Sequence, residues 1–78
     1  MESERKKKQT YRLRGLELDA EAAEAKLNYD ITLSEEGENK TKIDNAYRKW
    51  QAAERVVILF RNHITNNMIN IDAEIPTL

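Results

Sequence analysis

The sequence predicts an all-α fold, an antiparallel two-helix hairpin with a coiled-coil-like heptad seam that assembles into a four-helix bundle dimer or a higher oligomer. Three observations support this fold class. Glycine (two) and proline (one) are scarce among the 78 residues, as is typical of long helices. Apolar residues recur at spacings of three and four in two stretches, which is the period of one helix face. A chain this short buries little core, and it has no cysteine for a disulfide, so oligomerisation is the remaining route to stability.

The first predicted helix covers residues from about 4 to 29. Its heptad stripe consists of Leu13, Leu16, Ala20, Ala23 and Leu27. Gly15 lies within this helix, where glycine costs ~1 kcal/mol relative to alanine. One alternative is therefore a helix that begins at Leu16 behind a basic arm. We favour the continuous helix, because a partner for the long second helix must begin near Lys6.

The second predicted helix covers residues from about 37 to 66, after a turn at about 30–36. Its stripe spans three heptads and consists of Ile43, Ala46, Trp50, Ala53, Val57, Phe60 and Ile64. Two long helices with a short connection pack antiparallel. With the turn centred near Leu33, Ala20 faces Trp50 and Leu13 faces Val57. The two stripes together are the predicted hairpin core.

Both helices carry more apolar surface than this core uses. Five apolar residues follow one another at 56–60, and only Val57 and Phe60 belong to the seam. The first helix has a second apolar stripe, which begins at Tyr11. A helix that is apolar on two faces is normally buried on both. We therefore expect a homo-oligomer interface, most simply of a dimer, formed by Leu18, Ala22, Ala25, Tyr29, Val56, Ile58 and Leu59. The alternative is that this surface binds a different protein.

Residues 68–78 do not continue the helical pattern. Alternate positions are apolar, as in a strand: Ile69, Ile71, Ala73 and Ile75. A helical spacing of four, three and four is also present: Ile64, Met68, Ile71 and Ile75. Pro76 would end either a strand or a helix, because a proline restricts the backbone of the residue before it. The hairpin is therefore predicted for residues 1–67, with an extended or frayed C-terminal tail at 68–78.

Charge is distributed unevenly along the chain. Residues 1–14 carry +4, residues 15–39 carry −7 and residues 40–78 carry +2, for a total of −1. The basic end could contact nucleic-acid phosphates through Arg5, Lys6, Lys7, Lys8, Arg12 and Arg14. The overall isoelectric point of about 5.8 is far below that of typical nucleic-acid-binding domains. Nucleic-acid binding is therefore the alternative function and not the first choice.

Catalytic and cofactor chemistry is poorly supported. There is one histidine, His63, without a second histidine or a nucleophile in a recognisable pattern, and there is no glycine-rich phosphate loop. We therefore expect no catalytic, cofactor-binding or metal-binding residues. No apolar segment approaches the ~18 residues of a membrane span, and the charged N-terminus does not resemble a signal peptide. The expectation is a soluble protein of the cytoplasm.

These observations predict a non-catalytic protein–protein interaction module, an adaptor, scaffold or inhibitor, that acts as a homo-oligomer with a further protein partner. The small size and the many Asn, Lys and Ile residues are compatible with a phage or mobile-element origin. Fold-level analogy alone supports the adaptor and inhibitor roles.

Overall fold

Two helices pack against each other in the computed structural model of the chain, which describes residues 9–76. Helix α1 spans Tyr11–Glu35 and helix α2 spans Lys40–Asn66, with residues 36–39 between them. The predicted all-helical hairpin is thereby confirmed. The predicted beginning of the first helix near residue 4 lies outside the described residues.

Helix α1 begins at a capped N-terminus and continues through Gly15. Thr10 has an extended backbone, and its side-chain oxygen accepts a hydrogen bond from the Leu13 amide at 3.2 Å. A β-carbon built at Gly15 would lie 3.6 Å from Cε2 of Phe60 on α2. This is an ordinary van der Waals distance, so the helix pair would also accept an alanine at this position.

The connection lies further along the chain than the sequence pattern predicts. The predicted turn at about 30–36 is almost entirely helical, because α1 continues to Glu35. Residues 30–35 contain neither glycine nor proline, and α1 ends where the Glu36 amide donates to the Thr32 carbonyl at 2.7 Å. Asn39 accepts a hydrogen bond from the Lys42 amide at 3.1 Å and so begins α2 at Lys40, close behind the end of α1.

The two apolar stripes of α1 have exchanged the roles that were predicted for them. Leu18, only 5% exposed, and Ala22 are buried with Val57 of α2, and Ala53 and Phe60 pack against this cluster. The residues predicted to face α2 are instead exposed: Leu13, Leu16, Ala20, Ala23 and Leu27. The predicted oligomer contacts of α1 are buried or half-buried at the helix pair: Leu18, Ala22, Ala25 and Tyr29.

The exchange has a packing reason. The buried stripe contains Tyr11, whose ring lies 6.1 Å from that of Phe60, and Tyr29, which packs on two aromatic rings of α2. The other stripe has leucines at both ends and cannot offer these two features. Both stripes have the same helical period, so the pattern alone does not choose between them.

Helix α2 presents to α1 the residues that its heptad pattern singles out. Ala46 and Val57 are buried. The other members of this stripe are half-buried: Ile43, Trp50, Ala53, Phe60 and Ile64. Val56, Ile58 and Leu59 are exposed in this single chain.

The C-terminal segment, residues 67–76, returns across the N-terminus of α1. The amides of Arg12 and Tyr11 donate to the carbonyls of Ile71 and Ala73 at 2.8 and 3.2 Å. The first amides of a helix have no partner within it, so the segment satisfies two of them. The Ile75 amide also donates to a backbone carbonyl before the helix, at 2.8 Å. The segment is thus hydrogen-bonded to α1 and not frayed, and it contains turns, one of them closed by the Ala73 amide on the Asn70 carbonyl at 2.9 Å. Residues 77 and 78 lie outside the described residues.

Candidate functional site

An aromatic cluster fixes the two helices near their connected end. Tyr29 stacks on Trp50 with ring centroids 5.4 Å apart, and it lies 5.5 Å from Tyr47. The indole N–H of Trp50 donates to Glu54 at 3.1 Å, and Lys26 Nζ lies 5.4 Å from the indole centroid. Aromatic pairs add stability beyond the area that they bury. The cluster is therefore a structural anchor for the register of the hairpin.

A shallow groove runs beside this cluster, lined by Tyr29, Lys40, Ile43, Asp44 and Tyr47. It contains one carboxylate and one ammonium group. The groove therefore offers a shallow contact surface of mixed apolar and charged character.

The face of α1 that points away from α2 carries a continuous apolar stripe, here called the α1 outer stripe. Its members are Leu13, Leu16, Ala20, Ala23, Leu27 and Ile31, all of them exposed. Leu16 and Leu27 are 59% and 58% exposed. At 1.5 Å per residue the stripe is about 27 Å long. It therefore extends along most of the helix.

The exposed apolar surface of the α1 outer stripe is energetically significant. The exposed fractions of Leu13, Leu16, Leu27 and Ile31 together equal about two whole side chains. Burying one such side chain contributes about 1.5–3 kcal/mol, so covering the stripe would contribute ~3–6 kcal/mol for each copy. Contiguous exposed apolar patches mark interaction sites, and this stripe is the leading candidate for one.

A second exposed apolar patch lies on α2. Leu59 lies on the side of α2 opposite Val57, and Val56 and Ile58 lie to either side of it; all three are exposed. These three residues belong to the interface predicted from the sequence. Arg55 lies beside them and is also exposed. The patch thus combines apolar and basic groups, whereas the α1 outer stripe has neighbours of both signs.

The basic side chains at the N-terminal end of α1 are engaged by carboxylates. Arg12 contacts Asp72 at 2.9 Å, and Arg14 contacts Glu17 at 3.1 Å. The hydrogen bond from Arg12 lowers the pKa of Asp72 and raises the pKa of Arg12. The hydrogen bonds from Arg14 and then Gln9 lower the pKa of Glu17. Arg12 and Arg14 are thus each paired with an exposed carboxylate of the same chain.

The other predicted phosphate-binding residues, Arg5, Lys6, Lys7 and Lys8, lie outside the described residues. Within residues 9–76, no three histidine or acidic side chains come together in a way that could hold a metal ion. His63 is exposed, and its Nδ1 lies 3.2 Å from Nδ2 of Asn67 at the end of α2. Neither described helix has a stretch long and apolar enough to cross a bilayer.

Comparison with known proteins adds no relative. No protein-family model matches the chain, and no curated protein or solved structure is significantly similar to it. A proposal for its function therefore depends on the exposed surfaces described above.

Proposed function

We propose that the chain is a small non-catalytic protein–protein interaction module, an adaptor, scaffold or inhibitor, that acts as a homo-oligomer. One observation carries this proposal. The α1 outer stripe has the heptad spacing of a helix-packing surface, and yet its residues are exposed in the single chain. A helix that is apolar on two opposite faces is normally covered on both.

The balance of buried and exposed apolar residues supports the same proposal. Among the described residues only Leu18, Ala22, Ala46 and Val57 are buried, whereas eleven larger apolar side chains are more than a third exposed. A hairpin with so small a core is marginally stable alone. Covering part of the exposed surface with protein would therefore stabilise the fold and form the complex at once.

The experiment is affinity capture from an extract of the native host, with and without nuclease. Wild type is compared with the double variant Leu16→Asp, Leu27→Asp. Both residues are exposed, so circular dichroism should show an unchanged helix content. We expect captured protein to survive nuclease and to disappear with the double variant.

The matched control is Met68→Asp, which removes an exposed apolar side chain outside both helices. This variant should capture the same proteins as wild type. Capture that is unchanged by the double variant contradicts the proposal. Recovery that depends on nucleic acid and weakens steeply with salt favours the alternative, phosphate binding through the basic end.

A further inference from the structure

We propose that the occupant of the α1 outer stripe is the same stripe of a second copy of the chain, running antiparallel and related by a two-fold axis near the middle of α1. This inference rests on the proposed function and specifies the first partner of its main surface. The α1 helices of the two copies would form the centre of the dimer, with each α2 on the outside.

The stripe has the same pattern of side-chain size from either end. Bulky residues occupy its two ends, and Ala20 and Ala23 occupy its middle. In an antiparallel pair centred between these alanines, Leu16 lies across from Leu27 of the second copy, and Leu13 lies across from Ile31. Alanine against alanine at the centre allows close approach of the two helices. A two-fold interface requires this kind of self-complementary surface.

The charges along one flank of the stripe select the antiparallel direction. In chain order this flank carries Arg12, Asp19, Lys26 and Asp30. The side-chain charges are therefore positive, negative, positive and negative. When the sequence is reversed, every charge meets its opposite. Arg12 lies beside Asp30 of the second copy, and Asp19 lies beside Lys26. These side chains are exposed and make only exposed ion pairs within the chain, so they can share contacts with a second copy.

The opposite flank limits the affinity. It carries Glu17 and Glu24, and in the antiparallel pair Glu17 lies beside Glu24 of the second copy. Like charges across a helix interface are unfavourable. The apolar stripe must overcome this repulsion and the entropic cost of association. We therefore expect a dissociation constant on the order of tens of micromolar.

The patch on α2 is a poorer occupant for the stripe. A contact between α1 of one copy and the Val56–Leu59 patch of another would use two different surfaces, which generates an open chain of copies unless a ring closes. The α2 patch is also shorter than the stripe. The symmetric α1 pair closes after two copies and uses no part of the α2 patch.

Self-association is tested by sedimentation equilibrium of the purified protein from about 5 μM to 1 mM. We expect a monomer–dimer equilibrium for wild type, a monomer for Leu16→Asp, and wild-type behaviour for Met68→Asp. Glu24→Lys replaces the repulsion with Glu17 by an attraction and should tighten the dimer by on the order of fivefold, given the usual strength of exposed ion pairs. A tighter dimer cannot result from misfolding. A monomeric wild type at 1 mM, or a Glu24→Lys dimer no tighter than wild type, overturns the proposal.

Direction is tested with single cysteines, because the chain has none of its own. In the antiparallel dimer, residue 16 of one copy is about 16 Å along the helix from residue 16 of the other, too far for a disulfide. Leu16→Cys and Leu27→Cys should therefore not crosslink when oxidised separately, and a mixture should form the mixed disulfide. Crosslinking of each variant with itself indicates a parallel dimer and overturns the proposal. A monomer in sedimentation, together with loss of the captured partner protein in the Leu16→Asp, Leu27→Asp variant, would overturn this dimer and leave the interaction-module proposal standing.

Discussion

Replacing Gly15 by alanine should stabilise the hairpin, although the residue lies against the other helix. Two contributions act in the same direction. Alanine is favoured over glycine in a helix interior by about 0.8–1.0 kcal/mol. The new methyl group would lie 3.6 Å from Cε2 of Phe60, an ordinary van der Waals distance that buries a little more apolar surface. The expected gain is ~1 kcal/mol, which raises the Tm of a domain of this size by about 4–8 °C.

The assay is thermal unfolding followed by circular dichroism at 222 nm, at a protein concentration below 5 μM. Low concentration is necessary because self-association would make the Tm depend on concentration. Gly15→Val is the contrasting variant. Its two additional carbons would extend toward the Phe60 ring, and branching at the β-carbon is less favourable in a helix. We therefore expect Gly15→Val to lose the gain that alanine provides.

Gly37→Ala is the matched control at the other glycine. A β-carbon there would lie 3.2 Å from the backbone carbonyl oxygen of Leu33, which cannot move aside as a flexible side chain can. We expect no stabilisation at this position. A Gly15→Ala protein with a Tm equal to or below that of wild type would refute the reasoning, because either α1 would not be continuous at residue 15 or the helices would be closer than described.

Two further predictions address the buried stripe and the C-terminal segment. Leu18→Ala should lower the free energy of unfolding by about 2–5 kcal/mol in a urea titration. Leu16→Ala in the monomer should lower it far less, because Leu18 is 5% exposed and Leu16 is 59% exposed. Equal losses would contradict the assignment of the two stripes. Asp72→Asn should remove part of the acid sensitivity of the fold. The pKa of Asp72 is lowered below its ordinary 3.8, so its ion pair with Arg12 stabilises the fold above that pH and is lost as the pH falls further. Wild type should therefore lose more stability than Asp72→Asn between pH 5 and about pH 2.5, and parallel Tm curves would contradict this.

The helices and their pairing could be predicted from local properties. Scarce glycine and proline, abundant helix formers and two apolar patterns of helical period define two long helices, and a short connection makes them antiparallel. The stripe of α2 that faces α1 follows from its spacing, since Ala46 and Val57 are buried there. The interaction surface of α2, by contrast, remains a proposal that rests on exposure.

The residues at which the helices begin and end were harder to predict from the sequence. Asn39 is a good cap that the turn prediction did not use, and it places the beginning of α2 at Lys40. The sequence of the C-terminal segment contains no pattern that indicates which part of the chain it contacts. Its hydrogen bonds to Tyr11 and Arg12 join residues about sixty positions apart, and only the assembled hairpin brings them together.

The sequence by itself determined that α1 is apolar on two faces, because both stripes are visible in its spacing. Only the tertiary structure decided which face lies inside the hairpin. Hydrophobic period does not distinguish two stripes of equal spacing, so the choice depends on shape across the helix pair. Tyr11 packs against Phe60, and Tyr29 packs against Tyr47 and Trp50. These contacts turn Leu18 and Ala22 inward and leave the leucines of the α1 outer stripe facing outward.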